Sequence, residues 1–329
     1  MARKDVVAKD YMQNRETFAD AFNFLLYDGK QTIKPENLKP LDTTSIALPF
    51  GDDGNVVPIQ KYRDILKTAT VMKDDRAAYI LLGIENQSEI NYAMPVRNML
   101  YDAIQYAEQI EKIKQGRRGK GKRSASREEF LSGLRRTDKL IPVITLTVCF
   151  TPNKWTGPKD LHSMLKADED ILRFVDNYRL HLIAPANLSE KDFAKFRTEL
   201  SVVLKFVEYS NDKKKLRKKI SEDAAFKSVS KKTVDMVNAM TNSNIRYNEE
   251  EERVDMCEAI KELINDALAE GEAKGIAKGI AKGKAKGKAE GALETLAGLV
   301  KKGLLTVAQA AEEAHMSVAE FKKKAKALA

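Results

Sequence analysis

The chain has 329 residues, with 57 Lys and Arg against 48 Asp and Glu, so its formal charge at neutral pH is +9. A hydrophobic content of 43% is enough for a sizeable core, the 32% charged content is above the usual globular share of roughly 25%, and the length suits one large domain with an appendage or two domains. The apolar runs at 79–84 and 142–150 are far shorter than the roughly 18 residues of a spanning helix, and the start MARKDVVAKD has no apolar core of the secretory kind.

Two cysteines, Cys149 and Cys257, make neither a disulfide framework nor a four-thiolate zinc site. The expectation is therefore a reduced, cytoplasmic protein without a membrane span. Its surplus of positive charge favours a polyanion as partner.

In chain order, residues 16–27 carry Phe18, Phe22, Leu25 and Leu26 at helical spacing, and Asp28-Gly29 closes that helix with a turn. From 41 to 94 the pattern becomes extended. The segments 44–50, 56–72 and 79–85 are β-rich, with turn-like breaks at 51–54 and 73–75. Pro95 opens a helix over 96–113 with Val96, Leu100, Ile104, Ala107 and Ile110 along one face. A cationic stretch over 112–127, interleaved with Gly and Ser, reads as a loop. Strands are expected at 142–150 and 178–184, and helices near 160–175 and 190–208. Together these predict an α/β domain with a mixed sheet.

Past 209 the pattern is helical and charged, with a basic run at 213–219 and an acidic block at 249–252 before a helix near Val254. Glycines then recur at every fourth residue from Gly271 to Gly291. Each interior glycine costs a helix about 1 kcal/mol against alanine. The stripe makes sense where a second helix approaches closely, as in a homo-oligomer, or as a solvated Lys-rich spacer. Thr306 with Gln309 and Ser317 with Glu320 have capping-box spacing, which predicts two short helices forming a packing cap or half of a helix-turn-helix.

The informative chemistry lies between 57 and 97. The apolar strand YILLGI runs directly into Glu85-Asn86-Gln87, and a side-chain period of two puts Glu85 and Gln87 on one face. Asp64 stands at the start of the preceding strand. A hairpin centred on Asp74-Asp75 sets Asp64 directly against Glu85, with Cβ atoms about 5 Å apart. Opposed like charges need a shared proton or a cation, and carboxylates with water and substrate phosphate are the usual shell of Mg²⁺. Such an ion activates water for attack on phosphorus. The alternative is two acids that cap strands and pair with Arg63 or Arg97.

An acid on one strand and Glu-x-Gln at the end of the next, flanked by helices, resembles the PD-(D/E)XK nuclease superfamily, whose second motif is Glu-x-Lys. The string YILLGIENQSEINYAMPVRNMLYDAIQY over 79–106, the upstream YRDILK, the later NKWTGPKDLHSML over 153–165 and the Gly-x-Ala-Lys repeat are similar to the Rpn family of recombination-promoting nucleases, also labelled transposases. The likeness covers essentially the whole chain. It implies a restriction-endonuclease-like core over 1–210, a charged helical extension over 211–300 and a two-helix element over 301–329.

The resemblance further implies that Asp64 and Glu85 bind Mg²⁺ (or Mn²⁺ or Ca²⁺), with the backbone carbonyl of Asn86 as a third ligand. Gln87 takes the lysine position, where it orients the attacking water but has no charge with which to deprotonate it, so slow turnover is expected. Asp20 stands where related nucleases carry an auxiliary acid, or is a solvated helix residue. Ser45 stands where a second acid is expected. Arg97 and Tyr101, one turn apart, would reach the scissile phosphate, or Arg97 would pair with Glu85 or Glu89.

Arg117, Arg118, Lys120, Lys122 and Arg123, with the 213–219 run, are expected to hold the DNA backbone without reading sequence. His162 and His181 lack metal-ligand spacing, and Trp155 anchors a turn or stacks on a base. The expected function is a Mg²⁺-dependent DNA endonuclease with little sequence specificity, linked to recombination and mobile DNA. The alternatives are a catalytically weak or inactive nucleic-acid-binding or assembly protein of the same fold, and a true transposase.

Overall fold

The computed structural model describes residues 2–41, 44–47, 59–62, 64–73, 76–117 and 126–328. Two helices open the chain, α1 (Ala2–Gln13) and α2 (Arg15–Tyr27). Asn14 separates them, its side-chain oxygen accepting from Thr17 N–H at 3.0 Å as the cap of α2. The second is the predicted helix. The first was not predicted; it buries Ala8, Tyr11 and Met12 at helical spacing within an otherwise polar sequence.

Next come β1 (Leu38–Pro40), the hairpin strands β2 (Thr44–Ala47) and β3 (Ile59–Tyr62), and the long pair β4 (Ile65–Lys73) and β5 (Arg76–Gln87). The stretch read as one extended segment over 56–72 thus serves two sheets, because β3 pairs with β2 and β4 with β5. The turn-like segments 51–54 and 74–75 lie outside the described residues. The chain continues through α3 (Met94–Arg117), α4 (Arg127–Ser132), β6 (Val143–Cys149), α5 (Glu169–Leu172), β7 (His181–Ile183), α6 (Glu190–Phe193) and α7 (Leu200–Tyr209).

Among the described residues the main sheet runs β1-β4-β5-β6-β7, antiparallel across β1, β4 and β5 and parallel across β5, β6 and β7. The class is α/β with a mixed sheet flanked by helices, as composition and patterning led us to expect.

Two expected helices are shorter than predicted. Over 160–175 there is a single turn at His162–Met164 and the four-residue α5. Over 190–208 the helix breaks between α6 and α7, where Asp20 accepts from the backbone N–H groups of Arg197 and Thr198 and turns them away from a helical ladder.

The two faces of the sheet differ in chemistry. Ile65, Ala69, Leu82, Ile84, Leu146 and Val148 point into the main apolar core with Phe18, Phe22 and Phe206. The opposite face meets α3 through hydrogen bonds: Thr145 Oγ1 donates to Asp102 Oδ1 at 2.5 Å and Asn98 Nδ2 donates to Thr147 Oγ1 at 3.0 Å. Accordingly α3 buries Met94, Asn98, Tyr101, Asp102, Ile104 and Gln105; of the predicted stripe Ile104 is buried, Leu100, Ala107 and Ile110 are half-buried, and Val96 is 40% exposed. Threonines inside β6 require polar partners, and α3 supplies them.

The first compact unit extends to Ile260, well past the boundary expected at 210. Its last part contains α8 (Lys213–Glu222), β8 (Val229–Ser230), α9 (Lys231–Thr241) and β9 (Arg253–Val254). Ile220, Phe226, Val234, Val237 and Met240 belong to the same core as the sheet. Glu199 fastens this part to α7 by accepting from Ser230 N–H and Oγ and from Arg253. The density of lysines over 213–219 hid these apolar positions from a reading by composition.

The second unit, Lys261–Ala329, holds most of α10 (Met256–Lys301), with α11 (Val307–Glu313) and α12 (Val318–Leu328). Leu293, Ala310, Ala311 and Phe321 form its small core, a packing cap of three helical segments. Both expected capping boxes form, at Thr306 with Gln309 and at Ser317 with Glu320. Nothing lies within 4 Å of where a Cβ would sit on Gly271, Gly275, Gly279, Gly283, Gly287 or Gly291. Among the described residues, no helix is long and apolar enough to cross a membrane.

Lys67 on β4 is the unusual member of the core. It is 4% exposed, donates to the Gln13 carbonyl at 2.6 Å, and lies 4.4 Å over the Phe18 ring. Burial, with Arg15 nearby, lowers its pKa from the ordinary 10.5 to about 8. Between those values the unfolded chain binds more protons than the folded one, so the contribution of Lys67 to stability rises with pH across that window. Urea unfolding at pH about 7.5 and about 9.5 should show wild type gaining about 1–2 kcal/mol relative to Lys67→Met. Equal pH responses of the two proteins would contradict this.

Candidate functional site

The site is built on the strand pair β4–β5. The ladder runs from Lys73 opposite Arg76 to Ile65 opposite Ile84, and the next residues in this register are Asp64 and Glu85. This is the pairing expected from a hairpin centred on Asp74-Asp75. Asp64 N–H donates to Glu85 Oε1 at 3.4 Å, and Asn86 N–H donates to Asp64 Oδ2 at 2.8 Å. Both acids line one cleft of about 610 Å³, together with Asp5, Asn86, Gln87, Glu89, Tyr92 and Arg97. Glu85 is 1% exposed although it lines the cleft.

Cationic groups stand beside the pair. Arg97 Nη2 lies 3.6 Å from Glu85 Oε2 and donates to Tyr101 OH at 3.4 Å. Burial raises the Asp64 carboxyl above the ordinary carboxylate range, and the negative charge of Asp5 adds to this; Asn86 N–H, Lys9 and Arg97 pull the other way. Asp64 is therefore an acid that the fold makes costly to ionise, and a cation beside it would relieve that cost.

Gln87 shares the Glu85 face as expected, but its amide nitrogen donates to the Asn86 carbonyl at 3.0 Å. That carbonyl has a second lone pair, which leaves it able to act as a ligand. Tyr101 is 7% exposed and sits behind Arg97 rather than lining the cleft. Asp20 is neither at the cleft nor solvated: it is 1% exposed and accepts from Arg197 N–H, Thr198 N–H and Thr198 Oγ1. Its carboxylate fills the break before α7, which no helical pattern signals.

Arg117 is tied to Asp138 and to the Gly133 carbonyl, closing the base of the cationic stretch. Arg118, Lys120, Lys122 and Arg123 lie outside the described residues, and of Ser45 only the backbone is described. Trp155 is a packing anchor, 6% exposed among Met94, Cys149, Leu180 and Ala184, and donates to the Pro158 carbonyl at 3.3 Å. His162 bonds the Val175 carbonyl at 2.6 Å, and neither it nor His181 lines the cleft. Asp5 and Tyr92 are cleft residues that sequence reasoning missed. The helix that carries Asp5 has too few apolar positions to stand out, and Tyr92 lies in a turn.

Among the described residues no group of three or more His, Cys, Asp or Glu is placed to hold a metal. What the cleft offers is two carboxylates and a backbone carbonyl. That set fits Mg²⁺, which commonly takes one or two protein carboxylates and completes its shell with waters and phosphate oxygens. It does not fit an all-protein cage. Comparison with known protein families, with curated proteins and with solved structures gives no match.

The placement of Asp20 separates a structural role from an auxiliary acid. Asp20→Ala leaves the Arg197 and Thr198 donors without their carboxylate and should destabilise the protein by about 3 kcal/mol, seen as a lower melting temperature. Cleft chemistry should persist at a temperature where the variant is folded. Loss of that chemistry with an unchanged melting temperature would restore Asp20 to the site.

Proposed function

We propose that the chain is a Mg²⁺-dependent DNA endonuclease of the PD-(D/E)XK type, related to the Rpn nucleases, acting in the cytoplasm on DNA with little sequence preference. The observation that carries this reading is Asp64 set against Glu85 in an open cleft, with Arg97 beside them. Asp64 and Glu85 would hold the ion, and the Asn86 carbonyl would join them through its second lone pair. When bound, the ion supplies Lewis acidity, lowering the pKa of a coordinated water and offsetting phosphate charge.

The remaining work falls to this chain's own residues. Arg97, braced by Tyr101, is positioned to meet a phosphate oxygen when its partner Glu85 is engaged elsewhere. The Gln87 amide can donate to or accept from the attacking water but adds no charge to the site. A neutral group at this position points to slow turnover. The surplus of +9 and the exposed lysines of α8 favour contact with a sugar-phosphate backbone outside the acidic cleft. A role in recombination or mobile DNA is the biological setting that the family likeness supports.

A second reading is favoured by two contacts. Arg97 pairs with Glu85, and Gln87 holds the Asn86 carbonyl, so two of the groups that would serve a metal already have protein partners. This suits a binding or assembly protein whose catalysis has decayed. For assembly, the open glycine stripe of α10, with Ile276 64% and Ile280 54% exposed beside it, suits a second copy of the same helix.

Purified protein should nick plasmid in Mg²⁺, lose this with EDTA, and lose about 100-fold or more with Asp64→Ala or Glu85→Ala. Nicking that survives both substitutions would sink the nuclease reading, and joined strands among the products would indicate a transposase. Sedimentation of the full chain is expected to show an oligomer that Gly279→Leu with Gly283→Leu dissociates. A monomeric wild type would remove the assembly proposal.

A further inference from the structure

Tyr92 sits in the turn before α3 and lines the cleft of Asp64 and Glu85, yet it is 61% exposed. Its position is nevertheless fixed. The phenol oxygen lies 3.3 Å from Thr156 Oγ1. A Cβ on Gly157 would fall 2.9 Å from Tyr92 Cδ1 and 3.1 Å from two ring atoms of Trp155, so both rings lie close against the side of Gly157 that has no side chain. Trp155 is itself locked in the small core of Met94, Cys149, Leu180 and Ala184. The Tyr92 ring thus stands on a rigid support without being buried by it, the preorganisation expected of a ring that meets a ligand.

Charge narrows the choice of ligand. Among the described residues lining the cleft, Asp5, Asp64, Glu85 and Glu89 face the single cation Arg97. A polyanion gains little here from side-chain charge, so affinity at this wall must come from contacts that do not depend on sign. Stacking of a nucleobase on an aromatic ring is such a contact. A base inside a duplex has both faces covered by its neighbours and cannot provide it. On the nuclease reading, we infer that Tyr92 stacks on an unpaired nucleobase beside the carboxylate pair, so that the preferred substrate is nucleic acid containing single-stranded or unstacked nucleotides.

The test is binding of the full-length protein, in EDTA, to a single-stranded oligonucleotide carrying one 2-aminopurine and to the matching duplex. Cleavage of both forms is measured in Mg²⁺ with the same preparations. Wild type is expected to prefer the single strand and to quench 2-aminopurine. Tyr92→Ala should weaken single-strand binding about 10- to 100-fold and abolish the quenching, with duplex binding changed less than about twofold. Tyr92→Phe should keep both properties. Gly157→Ala, whose methyl group must displace the ring, should shift binding in the same direction as Tyr92→Ala.

Equal losses on single strand and duplex, or no loss on either, overturn the stacking inference. Wild-type cleavage of single strands by Tyr92→Ala overturns it while leaving the nuclease reading intact. A wild type that neither binds nor cuts any form overturns both.

Discussion

An antiparallel ladder that pairs apolar residues along its length ends with two acids facing each other. Asp64 and Glu85 are brought together because β4 and β5 hold a continuous register from Lys73–Arg76 to Ile65–Ile84. Buried like charges are unfavourable, and the surroundings offset them with the Asn86 N–H and the charges of Lys9 and Arg97 for Asp64, and with the Asp64 N–H and Arg97 at 3.6 Å for Glu85. Burial, with the charge of Asp5 added, holds the Asp64 carboxyl above the ordinary carboxylate range. Every neighbouring element can be understood by how it holds or tolerates this pair.

The two faces of the sheet divide that task. The face toward α1, α2 and α7 is a dry core that keeps β4 and β5 rigid. The face toward α3 is polar, with Asn98 and Asp102 hydrogen-bonded to Thr147 and Thr145 and with Gln105 buried on the same helix. Thr147 stands opposite Glu85 in the parallel ladder, so the hydrogen-bonded layer runs directly into the site and carries Arg97 on the same helix. Polar satisfaction is incomplete nearby. Both side-chain amide atoms of Asn86 and the Asn98 oxygen are buried without a hydrogen-bond partner among the described residues. Unsatisfied polar atoms concentrated beside a pair of acids are the kind of local cost that functional sites retain.

Several elements were legible because their signals are short-range. The hairpin register follows from an apolar run and a two-aspartate turn, and that register sets Asp64 against Glu85. The terminal capping boxes followed from side-chain spacing alone. Other features depended on distant partners. The first helix has three buried residues that only the core identifies as a face. The predicted stripe on α3 is buried only at Ile104, because the threonines of β6, far along the chain, draw a polar face of the helix onto the sheet. The break between α6 and α7 is made by Asp20, nearly 180 residues upstream. The domain boundary moved to 260 because apolar residues scattered among lysines join a core built by the first two hundred positions.

Sequence alone therefore determined the α/β class, the register of the central hairpin and the identity of the two facing acids, since each rests on periodicity and turn chemistry within a few tens of residues. Tertiary structure alone decided that Asp5 and Tyr92 share their cleft, that Asp20 does not, and that Tyr101 supports Arg97 from behind. Those outcomes depend on which faces of distant elements are packed together, and burial and hydrogen-bond satisfaction settle that only once the whole chain is folded.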